Sequence, residues 1–123
     1  MGKIHSFTDR VVFFGSSEYC LPVLETINNN FQLQAVITRP KTLPAQLASS
    51  HNIKTFTPAN QSELLALKDK ITVLNIDLAV VADYGLIIPK EIFTLPRYKT
   101  LNIHFSKLPK LRGPSPVQYA ILA

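Results

Sequence analysis

Residues 77–89 read Asp77-Leu78-Ala79-Val80-Val81-Ala82-Asp83-Tyr84-Gly85-Leu86-Ile87-Ile88-Pro89, and they decide the fold. Leu78 to Ala82 is apolar at every position. A strand here offers apolar side chains to both faces, as a central strand of a parallel sheet does. The loop that follows, Tyr84 to Pro89, is almost as apolar. Such a loop does not lie bare in water. It either tucks into the core or lines the pocket of a flat ligand.

Outward from this strand, elements alternate. Ser62 is read as the N-cap of a helix through Leu64, Leu65, Leu67 and Ile71. Pro89 to Phe93 is a short helix, and Thr100 to Ile103 is a further strand. Toward the N-terminus, Arg10-Val11-Val12-Phe13-Phe14 is a buried strand. Gly15 permits a tight turn, Ser16 or Ser17 caps a helix, and Glu18 suits its positive end. Cys20, Leu21, Leu24 and Ile27 then share a helical face. Asn28 to Asn30 end that helix. Gln34 to Thr38 is the second strand, Ala45 to His51 a helix, and Lys54 to Phe56 a short third strand. A final helix starts at Pro114 or Ser115 and runs to Ala123. The alternation predicts a Rossmann-like three-layer α/β/α fold with a mostly parallel sheet. Residues 1–9 carry no pattern and read as a disordered or appended N-terminus, leaving residues 10–123 as the folded part.

Composition narrows the function. The chain has 123 residues, 46% apolar and 17% charged, which suits one globular domain. No apolar run approaches the roughly 20 residues that span a bilayer. The single cysteine, Cys20, cannot form an internal disulfide, so a reducing, cytoplasmic setting is expected. The strand–Gly15–helix opening lacks Gly-x-Gly-x-x-Gly, and no Gly-Lys-Ser/Thr follows a glycine loop, so neither a dinucleotide nor a P-loop nucleotide is expected. No His/Cys cluster supports a metal. Net charge is +5, and Lys107, Lys110 and Arg112 form either a patch for phosphates or a solvated basic loop.

The chemistry centres on Asn102-Ile103-His104-Phe105-Ser106-Lys107-Leu108-Pro109. Asn102 and His104 are two apart, so on a strand they share a face, while Leu101 and Ile103 point the other way. They sit at a strand end, where an open α/β sheet binds its ligands. An amide that holds an oxyanion beside an imidazole that moves a proton suits attack on a carbonyl carbon. The same spacing also fits an ordinary hydrogen-bonded pair.

The whole string, Asn102-Ile103-His104 through Ser106-x-Leu108-Pro109 to Arg112-Gly113-x-x-Pro116, resembles the folate-dependent formyltransferases, the methionyl-tRNA formyltransferases most of all. So do Phe14-Gly15-Ser16-Ser17-Glu18-Tyr19-Cys20-Leu21-Pro22-Val23-Leu24 and the stretch Ala82 to Pro89. The resemblance implies formyl transfer from 10-formyltetrahydrofolate to the amine of methionyl-initiator tRNA. Asn102 would polarise the formyl oxygen, and His104 would stabilise its charge or shuttle the proton. The backbone of Tyr84, Gly85, Leu86, Ile87 and Ile88 would hold the pterin, with Ser106, Lys107, Leu108 and Pro109 also on the folate. Phe14, Gly15 and Ser16 would border the pocket for the aminoacyl end. Arg39, Lys41 and Arg112 would meet phosphates.

The chain departs from that pattern in three places. The long basic loop after the second strand is short here, with only Arg39 and Lys41, which leaves an amino-sugar nucleotide as an alternative acceptor. Lys107 replaces an apolar residue of the family's string. The family's catalytic aspartate lies further along than Ala123, and Asp69, Asp77 and Asp83 do not occupy its position. Asp83 is read as a loop carboxylate taking backbone hydrogen bonds. The expectation is therefore a fragment or a truncated relative, with little activity alone and an apolar flank through which it self-associates. A non-catalytic folate- or nucleic-acid-binding remnant is the alternative of another class. Glycinamide ribonucleotide formyltransferase is disfavoured by the absence of a Gly-rich first loop.

Overall fold

The computed structural model describes residues 9–105 and 117–122. In chain order these form β1 (Arg10–Phe14), a 3-10 turn (Glu18–Cys20), α1 (Leu21–Asn30), β2 (Gln32–Ile37), α2 (Leu43–Ser50) and β3 (Thr55–Phe56). Then follow α3 (Gln61–Leu65), α4 (Lys68–Thr72), β4 (Leu78–Ala82), α5 (Lys90–Phe93), β5 (Lys99–Phe105) and β6 (Val117–Leu122). One sheet holds all the strands in the order β3-β2-β1-β4-β5-β6. The first five run parallel, and β6 joins β5 antiparallel.

Alternation along the strands builds two cores. Val12 and Phe14 of β1, Ala35 and Ile37 of β2, and Ala79 and Val81 of β4 face Leu64, Ile71 and Ile92 of α3, α4 and α5. Val11 and Phe13, Val36, and Val80 and Ala82 face the other way, toward Leu24 and Ile27 of α1 and Ala48 of α2. A strand apolar at every position thus feeds both layers, which is why β1 and β4 carry no polar residue on either face beyond Arg10.

Three local readings are corrected. The stretch expected as one helix from Ser62 to Ile71 is two short helices, because the chain tightens at Leu67, whose N–H donates to the Leu64 carbonyl three residues back. The N-cap is Asn60, not Ser62. Its side-chain oxygen accepts from Glu63 N–H at 2.9 Å, while the Glu63 carboxylate accepts from Ala59 N–H at 2.8 Å. This is close to a reciprocal capping box. The expected final helix is instead strand β6 over Val117–Leu122. Its short apolar run fits either period, and Val117, Tyr119 and Ile121 at alternate positions favour the pleated form.

The turn after β1 also differs from expectation. Of the two described glycines, Gly85 has a positive φ and Gly15 does not. Gly15 is required by space instead: a Cβ there would lie 2.6 Å from Phe13 Cε2 and 2.7 Å from Cys20 Sγ. Both neighbours are fully buried. Gly15→Ala is expected to destabilise the chain by about 1–3 kcal/mol, as overpacking does, read as a lower urea midpoint at unchanged slope. Ser17 holds the N-cap position of the 3-10 turn but makes no capping bond, and Ser16 is engaged elsewhere.

Candidate active site

In the strand order the chain reverses direction between β1 and β4, since β2 and β3 lie to one side and β5 to the other. Crevices for ligands open at the carboxyl ends of strands at such a point. A cleft of about 260 Å³ lies at the ends of β4 and β5, lined by Asp83, Tyr84, Gly85 and Leu86 on one side and Asn102 and His104 on the other. Pairing of Val81 with Asn102 and of Ala82 with Ile103 sets this register. Asn102 is half-buried and His104 exposed. Among the described residues neither side chain has a hydrogen-bond partner, so amide and imidazole both keep their polar atoms for a ligand.

The apolar loop divides its residues. The Tyr84 ring is buried in the core, edge-on to Phe14 with ring centroids 5.4 Å apart. Leu86 and Ile88 pack against that core. Ile87 points to solvent, its carbonyl accepting from Gln61 Nε2 at 2.9 Å. Gly85 is exposed at φ 98°, a conformation that side-chain-bearing residues rarely adopt. Burial raises the Tyr84 hydroxyl pKa, and the Arg39 charge lowers it by less.

The loop after β1 joins this one. Ser16 N–H donates to the Asp83 carbonyl at 3.0 Å, and Gly15 N–H to the Ile37 carbonyl at 3.1 Å. Ser16 Oγ–H donates to the Tyr84 carbonyl at 2.5 Å, and the same oxygen accepts from Arg39 N–H at 3.1 Å. Arg39 lies over Gly85, where a Cβ would be 3.2 Å from its Cδ. Of the sequence-expected residues, the fold thus gathers Ser16, Arg39, Tyr84, Gly85, Asn102 and His104 at one end of the sheet. Phe14 is in the core beneath. Lys41 is exposed at φ 62°, with no hydrogen bond or ion pair among the described residues. Ser106, Lys107, Leu108, Pro109 and Arg112 lie outside the described residues.

Asp83 departs from the expected loop carboxylate bonded to backbone. It has φ 53°, tolerable for Asp, and it lines the cleft with Asn102 and His104. Its backbone carbonyl accepts from Ser16 N–H, and its carboxylate has no hydrogen bond among the described residues. The clue lay in its place, directly after the central strand at the switch point. Its charge also reaches Cys20. Burial first, and Asp83 second, push the Cys20 thiol up to about 12. The folded state therefore holds its thiol proton while the unfolded chain releases it near pH 9, so stability falls with rising pH between about 9 and 12. Cys20→Ala is expected to flatten that alkaline decline, read from urea midpoints at pH 8 and pH 10.

Among the described residues no three His, Cys, Asp or Glu side chains could together hold a metal ion, and no helix is long and apolar enough to cross a membrane.

Comparison with known proteins matches residues 10–123 to the formyl transferase family. The chain is 37% identical to a methionyl-tRNA formyltransferase of Prochlorococcus marinus, over 92% of this chain and 37% of that protein. The 125-residue alignment exceeds the 123-residue chain, so that relative carries residues this chain lacks. Among solved structures the chain resembles glycinamide ribonucleotide transformylase 1 from Symbiobacterium toebii, with TM-score 0.68 and 16% identity, over 98% of this chain and 68% of that one. It also resembles a formyltetrahydrofolate deformylase from Pseudomonas syringae, with TM-score 0.68 and 17% identity, over 94% and 52%. At such identities these structures speak to the fold alone. The chain spans about two fifths of the length of the curated relatives it matches.

Proposed function

This chain belongs to the formyl transferase family, and we propose that its cleft carries formyl transfer from 10-formyltetrahydrofolate to the amine of methionyl-initiator tRNA. The observation that carries the reading is the pairing of Asn102 and His104, both without partners among the described residues, across one cleft from the Asp83–Leu86 loop. The pterin lies along the backbone of residues 84–88, and Ser106 to Pro109 complete the folate contacts. The acceptor nitrogen attacks the formyl carbon, a new C–N bond forms, and the oxygen takes negative charge. The Asn102 amide donates to that oxygen, more strongly as the charge grows. Collapse breaks the bond to N10 of the folate. His104 carries the proton from the attacking amine toward that leaving nitrogen. Asp83, on the same cleft, draws the acceptor's ammonium form in; that ammonium gives a proton to solvent before the neutral amine attacks. Arg39, Lys41 and Arg112 meet its phosphates. A folate donor and a single reduced thiol fit a cytoplasmic setting.

A second acceptor has one observation in its favour. Only residues 38–42 separate β2 from α2, leaving little loop to grip an acceptor stem, so an amino-sugar nucleotide fits as well. The deciding experiment offers 10-formyltetrahydrofolate with each acceptor to the natural polypeptide that carries these residues. Formylated methionyl-tRNA supports the first reading, and a formylated sugar the second. Donor binding without transfer to either means a folate-binding remnant.

A further inference from the structure

Three loops meet on one hydroxyl. Ser16 follows β1, Arg39 follows β2 and Tyr84 follows β4, and β4, β1 and β2 are neighbours in the sheet. Ser16 Oγ donates its only proton to the Tyr84 carbonyl and accepts the Arg39 N–H. With its only proton and one of its two lone pairs engaged inside the protein, this hydroxyl has no donor left to offer a substrate. We infer that Ser16 is a positioning residue, which fixes the Tyr84–Gly85 loop against the Arg39 loop and so sets the shape of the cleft mouth.

The contact at Gly85 extends the argument. The Arg39 side chain crosses the glycine, with Cδ 3.2 Å and Nη1 3.6 Å from where a Cβ would stand. Where Arg39 sits therefore depends on where Gly85 sits, and the Ser16 hydroxyl holds both backbones. The hydroxyl thus ties the backbone of the pocket wall to the backbone that carries the rim cation. That the wall belongs to the folate donor and the cation to the acceptor rests on the function proposed above; the mechanical tie between the loops does not. Ser16 also keeps a backbone bond, N–H to the Asp83 carbonyl, which Ser16→Ala leaves intact, so the variant retains the turn itself.

Two readouts separate the outcomes. Backbone ¹⁵N relaxation and amide exchange are measured in wild type, Ser16→Ala and Ser16→Thr. Ser16→Ala is expected to speed exchange of the Arg39 amide at least tenfold and to lower order parameters over residues 84–86; Ser16→Thr, which keeps a hydroxyl on Cβ, restores both. Titration with 5-formyltetrahydrofolate then reads the site: affinity falls about tenfold in Ser16→Ala and returns in Ser16→Thr. Unchanged dynamics over 84–86 in a folded Ser16→Ala overturn the inference. So does an affinity equal to wild type, and so does failure of Ser16→Thr to restore either readout. If wild type itself binds no folate, the formyl-transfer reading fails, and the relaxation data alone decide for or against Ser16.

Discussion

Gly85→Trp is expected to remove folate binding from a chain that still folds. Gly85 is exposed at the mouth of the cleft, at φ 98° and beneath the Arg39 side chain. A side chain at this φ strains the backbone by about 1–3 kcal/mol, a loss a stable domain of this size survives. The indole, which brings roughly 200 Å² of surface, would fill the 260 Å³ cleft that the proposed function gives to the pterin, and would drive Arg39 from its seat. An affinity loss of about a hundredfold or more is expected, close to 3 kcal/mol. The chain has no native Trp, so fluorescence of the new indole in a urea titration verifies folding in the sample used for binding. A folded Gly85→Trp that binds 5-formyltetrahydrofolate like wild type would move the donor away from this loop.

Asn102→Ala separates catalysis from binding. In the proposed mechanism the Asn102 amide meets the formyl oxygen, and that contact matters most when the oxygen carries the charge of the tetrahedral state. In the natural polypeptide that carries these residues, deleting it is expected to slow single-turnover transfer about 10²–10³-fold, as removal of an oxyanion donor does. Donor affinity should change by less than about threefold, since ground-state binding rests on the loop opposite. Transfer at the wild-type rate would strip Asn102 of its role and leave it an ordinary strand residue. A parallel loss of affinity and rate would instead make it a binding residue.

The sequence was most informative where one physical cause acted alone. Leu78–Ala82 and Arg10–Phe14 are apolar on both faces, and only a strand with helices above and below accommodates that, so both strands and the three layers were legible. Asn102 and His104 followed from period two at a strand end. Elsewhere two causes competed. Val117–Leu122 is a short apolar run compatible with either period, and its pairing with β5 makes it a strand. The cap at Asn60 is masked in the sequence because its partner Glu63 lies beyond Ser62, itself a good cap by type. Ser16 could not be read at all. Its role exists only because the ends of β1, β2 and β4 converge, and nothing local in Gly15-Ser16-Ser17 announces that. Asp83 suffered likewise, since its value comes from the cleft it faces.

The central claim is that the formyl donor is held between the loop after β4 and the end of β5, and calorimetric titration of the wild-type chain with 5-formyltetrahydrofolate tests it most directly. The account predicts saturable one-to-one binding, with the side-chain amide resonances of Asn102 and the backbone amide of Gly85 shifting along the same isotherm. No binding by a chain shown to be folded, or binding that leaves both residues unshifted, would contradict it.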